Sequence, residues 1–203
     1  MEARKEHWER VYSTKQSNEV SWTEEVPKTS LDFIHSFKLP KTASIIDVGG
    51  GDSKLIDYLL DEGYENVTVL DISEQALAKA KIRLGDKSEK VKWVIADITE
   101  FHPESVYDIW HDRAAFHFLT TQEQIKKYLM TAKKAVRGYL TIGTFSENGP
   151  QRCSGLEIKQ YNELQLQYQL EDGFQKIRCI TEDHVTPFNT TQNFLFCSFK
   201  RTA

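Results

Sequence analysis

The sequence predicts a doubly wound α/β fold, a mostly parallel sheet with helices on both faces. Short apolar runs that end in an acid alternate with helix-period segments across residues 43–145, as strand–helix–strand units with a parallel sheet do. The first run, Ser44-Ile45-Ile46-Asp47-Val48, stops at Gly49-Gly50-Gly51 and is followed by Asp52-Ser53. That order reads as a buried strand, a tight turn and a helix start. The tail differs. Two apolar runs, 174–181 and 193–200, are too close in sequence for a parallel crossover and predict an antiparallel pair.

Taken in order, residues 2–12 can form a short helix with Trp8, Val11 and Tyr12 on one side. A polar stretch over 13–21 leads to Trp22, and Pro27 opens a second helix through Leu31, Ile34 and Phe37. The first strand covers 43–48, and the helix after it covers 53–62 with Gly63 as its stop. Strand two, 67–70, ends at Asp71, and Ser73 caps a helix over 74–84. Strand three, 91–95, ends at Asp97, while strand four, 107–110, ends in His111-Asp112-Arg113. Thr121 and Gln124 predict a capping box that opens a helix to about 136. Strand five follows at 139–144, and a helix over 162–170 precedes the terminal pair.

A chain of 203 residues fits one domain. Residues 1–40 form an amino-terminal helical segment, and 41–203 form the α/β core. With 39% apolar and 28% charged residues, the chain can build a packed core. Its net charge of −4 gives no global basic field to draw nucleic acid. No apolar run approaches the ~20 residues of a membrane span. The charged amino terminus leads into no signal-peptide core. Cys153, Cys179 and Cys197 are odd in number and lack metal-type spacing, which predicts a reduced, cytoplasmic setting.

Ligands of open parallel sheets bind beyond the carboxyl ends of the strands, where Asp47, Asp71, Asp97, Asp112 and Thr144 stand. Glycines permit positive φ and close approach of a ligand to the backbone. Asp47 and Asp52 at that turn are unsuited to a phosphate cradle, so the loop reads as a nucleotide-type site for a ligand without phosphates. Asp71 suits two ribose hydroxyls and Asp97 an adenine amino group. Lys54 occupies the third small position of the dinucleotide fingerprint, and no Gly-Lys-Ser/Thr is present.

Asp47-x-Gly49-x-Gly51-x-Ser53, with acids after strands two and three, resembles the class I S-adenosylmethionine-dependent methyltransferases. That resemblance implies a Rossmann-like seven-stranded sheet with an antiparallel carboxyl-terminal strand. It implies S-adenosyl-L-methionine as cofactor and S-adenosyl-L-homocysteine as product. Asp47, Gly49, Gly50, Gly51 and Ser53 would line the methionine part, Asp71 and Ile72 the ribose, and Asp97 and Ile98 the adenine. In this superfamily the amino-terminal segment often closes over the cofactor, which puts Trp8, Tyr12 and Trp22 in a water-excluding lid.

The stretch Tyr107–Leu119 looks like bacterial methyltransferases of the "methyltransferase domain" type. It is also similar to lysine methyltransferases that carry Asp-Lys-Gly there, with Arg113 and Ala114 replacing the last two. His111, Asp112, Arg113 and His117 are therefore candidates for the acceptor side, the alternative being an Asp112–Arg113 ion pair that fixes the loop. His184 and Gln192, expected in the loop between the last strands, and Arg152 are further acceptor candidates. By position, His111 or His184 could take a proton from an amine acceptor. No separate metal-ligand cluster stands out. The expected acceptor is an N, O or S nucleophile of a small molecule, with protein lysine, or binding without transfer, as alternatives.

Overall fold

The computed structural model describes residues 2–202; Met1 and Ala203 lie outside the described residues. The helices are α1 (Glu2–Thr14), α2 (Lys28–Ser36), α3 (Leu55–Asp61), α4 (Glu74–Leu84), α5 (Gln122–Ala135) and α6 (Glu163–Leu170). The strands are β1 (Ser44–Val48), β2 (Asn66–Asp71), β3 (Val91–Ile95), β4 (Tyr107–Arg113), β5 (Val136–Phe145), β6 (Arg152–Cys153), β7 (Leu156–Glu157), β8 (Phe174–Val185) and β9 (Thr191–Arg201). Seven strands form one sheet in the order β3-β2-β1-β4-β5-β9-β8, and β6 and β7 pair separately. β1 to β5 are mutually parallel where they pair, β9 runs antiparallel to β5, and β8 antiparallel to β9. The expected doubly wound sheet is therefore present.

Side-chain alternation along the strands splits the core into two layers. Ile45, Val67, Val69 and Ile109 pack with Leu31 and Ile34 of α2, Leu55 and Leu59 of α3, and Leu77 of α4. Their strand neighbours Ile46, Leu70 and Trp110 face Tyr128 of α5 and Leu166 of α6. Helices thus cover both faces, and the strand ends are left to carry the site.

Several boundaries differ from expectation, each for a physical reason. β4 runs on through His111-Asp112-Arg113 because β1 and β5 flank it, pairing Asp47 with His111 and Gly143 with Arg113. Their polarity hid the strand. β5 begins at Val136 with no turn after α5, and Gly138 there lets the Asp108 carbonyl approach. α3 begins at Leu55, two residues late, although the Ser53 hydroxyl still accepts the Leu55 N–H at 3.2 Å. Ser73 caps α4 and Thr121 caps α5 as expected.

The terminal pair is longer than predicted, so Asp183, His184 and Gln192 lie in strands and not in a loop; His184 pairs with Gln192. Cys179 and Cys197 face each other in the same pair and are joined as a disulfide, leaving Cys153 as the free thiol. The all-thiol expectation is corrected for that pair. Directly opposed residues on antiparallel strands bring their Cβ atoms within bonding range, a juxtaposition that spacing alone does not reveal. Among the described residues no helix is long and apolar enough to cross a membrane.

Candidate active site

The loop after β1 is built by the glycines. Gly49 and Gly51 have φ of +68° and +50°, where a side chain is strained. A Cβ on Gly49 would meet the Ala115 Cβ at 2.5 Å, and one on Gly51 would meet the Tyr12 hydroxyl at 2.6 Å. The Gly49 and Gly50 N–H groups both donate to the Leu70 carbonyl, at 2.7 and 3.2 Å. They are not free to cradle a phosphate.

A cleft opens beside this loop, lined among others by Gly49, Asp71, Ile72, Asp97, Ile98 and Arg113. Trp8, Tyr12, Trp22 and Phe118 close it. These rings meet edge-on or tilted, Trp8 standing 5.6 Å from Trp22 and 5.0 Å from Phe118. A second chamber, sharing Tyr12, Trp22, Gly49 and Arg113 with the first, adds Asp47, Gly50, Asp52, Ser53 and His111. Nine of the ten expected cofactor residues therefore line one of two adjoining chambers; Gly51 lines neither and lies against the Tyr12 hydroxyl and Asp71 instead.

Asp71 is buried, accepts the Ser73 N–H at 2.8 Å, and among the described residues has no cationic partner. Burial first, and then the neighbouring Asp47 and Asp52 charges, push its carboxyl up to about 7 against the Ser73 and Gly51 N–H groups. Asp97 spends one oxygen on the Thr99 N–H and hydroxyl, at 2.9 and 2.8 Å, and the other faces the Arg4 guanidinium at 2.9 Å. That second contact is an ion pair without hydrogen-bond alignment.

The amino-terminal segment is fastened over the cleft. Glu9 of α1 accepts the Glu74 and Gln75 N–H groups at 2.7 and 3.1 Å, charge-capping α4. The Ser17 hydroxyl donates to Asp52 at 2.8 Å, and Lys54 pairs with Glu25. Arg113 donates to the Trp22 carbonyl at 2.9 Å and pairs with Glu24 at 3.0 Å. Arg4, Glu9, Ser17 and Glu24 lie in polar sequence without periodicity, and nothing in the sequence marked them.

The acceptor candidates divide. Arg113 lines both chambers. His111 lines the second, but both of its nitrogens are occupied: Nδ1 by Asp47 at 2.7 Å and Nε2 by Ser30 at 2.9 Å. It does not stand free as a base. Asp112 is corrected outright. It lines neither chamber; its carboxylate accepts from the Ala115 and Phe116 N–H groups and, at 2.9 Å, from the Tyr128 hydroxyl. Neighbours in a strand point to opposite faces, so the Asp112–Arg113 ion pair does not form either. Burial, opposed by these donors, raises Asp112 to about 6.

His117 is fully buried and stacked on Phe145 at 4.3 Å, and burial followed by the Arg113 charge lowers it to about 3. His184 donates from Nε2 to the Ser21 carbonyl at 2.7 Å and holds Nδ1 3.7 Å from Glu24. Burial, then Arg113, lowers its pKa. It borders an outer groove, with Glu24, Glu25, Lys28, Glu182 and Asp183, between the amino-terminal segment and the hairpin tip. The Gln192 carbonyl oxygen is buried without a partner. Arg152 is exposed and donates to the Gly155 carbonyl at 2.8 Å, a local turn contact. Cys153 lines the first chamber, its thiol pushed up to about 11 by burial.

This sheet order, glycine loop and row of strand-end acids are those of the class I S-adenosylmethionine-dependent methyltransferase fold. Residues 45–138 match the family described as "Methyltransferase domain". It is 22% identical over 120 residues to the mouse (Mus musculus) eEF1A lysine and N-terminal methyltransferase, covering 59% of this chain and 17% of the relative. It is 27% identical over 157 residues to the mouse EEF1A lysine methyltransferase 2, covering 68% of this chain and 64% of that protein. The chain thus spans less than two thirds of either relative. In three dimensions it is similar to the Burkholderia thailandensis 1,6-didemethyltoxoflavin-N1-methyltransferase, with a TM-score of 0.70 and 20% identity. That likeness covers 100% of this chain and 85% of the other, which was crystallised with 1,6-didemethyltoxoflavin and S-adenosylhomocysteine.

Proposed function

We propose that this chain transfers a methyl group from S-adenosylmethionine to an N, O or S nucleophile of a small-molecule acceptor. The observation that carries the reading is Asp71. A carboxylate buried beside a glycine loop, with acids beside it and no cation paired to it among the described residues, calls for neutral donors such as ribose hydroxyls. A ligand bearing sulfonium and ammonium charges also offsets the Asp47, Asp52 and Asp71 repulsion, so the residues present fit the group.

Asp71 and Ile72 would hold the ribose, Asp97 and the Ile98 backbone the adenine, with Arg4 sharing or yielding its oxygen of Asp97. Asp47, Gly49, Gly50, Gly51 and Ser53 would hold the methionine part, and Trp22 would cover it. When bound, the cofactor supplies an activated methyl group on a sulfonium. The chain then contributes alignment and exclusion of water by Trp8, Tyr12, Trp22 and Phe118. His111 spends both ring nitrogens on protein partners and His184 lines neither chamber, so no base is assigned among them. The closed aromatic cover favours a small acceptor.

A second reading, a protein-lysine acceptor, is supported by the outer groove, where four carboxylates outnumber two lysines. Methyl incorporation from labelled cofactor into a metabolite extract, compared with a protein extract, separates the two. Binding of S-adenosylhomocysteine with no turnover in either extract would leave a protein that binds the cofactor without transfer.

A further inference from the structure

Asp47, His111 and Ser30 form an unbroken buried line across three elements. Asp47 and His111 are register partners in β1 and β4, and Ser30 lies in the first turn of α2. Their exposures are 3%, 2% and 1%. Asp47 Oδ1 lies 2.7 Å from His111 Nδ1, and His111 Nε2 lies 2.9 Å from Ser30 Oγ. The other Asp47 oxygen lies under the loop, where a Cβ on Gly50 would meet it at 2.5 Å.

We infer that His111 is a positioning residue of the donor site, fixing the carboxylate of Asp47 under the glycine loop and fastening α2 to it; this rests on the methyl-donor reading above. A carboxylate can only accept, so Nδ1–H donates to Asp47. In the neutral ring Nε2 then accepts from the Ser30 hydroxyl, so the one ring lone pair is engaged there and not turned to an acceptor. Without His111, Asp47 would keep its burial and lose its only side-chain donor, at the wall where the cofactor's ammonium would bind. The next residue extends the line: Thr29 donates to Glu182 of β8. The first turn of α2 therefore joins the donor loop to the hairpin that borders the outer groove.

The experiment measures S-adenosylhomocysteine binding by calorimetry in His111→Leu, His111→Asn and Ser30→Ala, each checked for folding by its melting curve. Imidazole nitrogen NMR of the wild type runs alongside. Expected are an Nδ1–H signal that is lost in Asp47→Asn, at least tenfold weaker binding in His111→Leu, and recovery to within about threefold in His111→Asn, whose amide can still donate to Asp47. Ser30→Ala should keep Nδ1–H and binding within about threefold while lowering the melting temperature. Unchanged affinity in a folded His111→Leu protein, or an Nε2–H tautomer, overturns the inference. If His111→Leu does not fold, equal loss of binding in His111→Asn and Ser30→Ala overturns it. A folded wild type that shows the Nδ1–H signal but does not bind S-adenosylhomocysteine overturns the donor reading, and the assigned role with it.

Discussion

The Asp71 carboxylate receives the Ser73 N–H at 2.8 Å and meets no cationic side chain. Its carboxyl is raised to about 7, so the folded state binds a proton more tightly than the unfolded chain, whose ordinary value is 3.8. This reverses the usual carboxylate case. Stability from this group is fully present below about pH 4 and declines as pH rises through about 7. Asp71→Asn should therefore stabilise the ligand-free protein at pH 8, by roughly 1–3 kcal/mol, and have little effect near pH 4. Melting curves at the two pH values measure this.

The same substitution should act oppositely on binding. Replacing one acceptor oxygen by an amide removes a charged partner for the ribose hydroxyls, costing about 1–3 kcal/mol of S-adenosylhomocysteine affinity at pH 8. Wild-type affinity should fall between pH 8 and 6, as Asp71 takes up its proton. Calorimetry across that range checks it, and a pH-independent affinity would separate Asp71 from the ligand.

Gly51→Ala tests the loop and the lid together. The new Cβ would stand 2.6 Å from the Tyr12 hydroxyl at a φ of +50°. The variant should lose at least tenfold in cofactor affinity and about 1–2 kcal/mol of stability. Gly63→Ala, at φ +87° with nothing within 4 Å, pays only the backbone term. Tyr12→Phe added to Gly51→Ala should recover part of the stability, a coupling that a double-mutant cycle reads.

How much of this was legible follows from where each signal is local. Ser73 and Thr121 cap N–H groups three positions on, and the glycines stand together directly after an apolar run, so the sequence displayed them. The strand-end acids Asp47, Asp71 and Asp97 were legible because each ends an apolar run. Asp112 shared that signature and misled, because which face it takes depends on Tyr128, sixteen residues on. The contacts that fasten the amino-terminal segment act across 29 to 163 residues, as in Lys54 with Glu25, Ser17 with Asp52, Arg113 with Trp22 and His184 with Ser21. Such pairings leave no periodicity to read.

Asp112 and Tyr128 give a control for function. Trp110 Nε1 donates to the Tyr128 hydroxyl at 2.8 Å, and that hydroxyl donates to Asp112 at 2.9 Å, all three side chains being buried. Tyr128→Phe leaves an indole N–H and a carboxylate oxygen unpaired, and should cost about 1–3 kcal/mol of stability. The network lies outside both chambers, so S-adenosylhomocysteine affinity should stay within about twofold. Chemical denaturation beside calorimetry checks both, and a large loss of affinity in a folded Tyr128→Phe protein would return Asp112 to the site.

Glu9 decides whether α1 works as a lid. Its carboxylate takes two N–H groups at the start of α4 and the Ser73 hydroxyl at 3.1 Å, directly after Asp71. Glu9→Ala removes a charged cap of a kind that contributes about 0.5–2 kcal/mol, and frees α1 from the strand end it covers. Trypsin should then cut at Arg10 and Lys15 faster than in the wild type. S-adenosylhomocysteine should leave the variant several-fold faster, reported by Trp8 and Trp22 fluorescence in stopped flow. Arg4→Ala, which releases Asp97 at the same helix, should show a smaller change in the same direction because its ion pair lacks hydrogen-bond alignment. Equal dissociation rates in the wild type and both variants would make α1 a fixed wall of the cleft and not a lid.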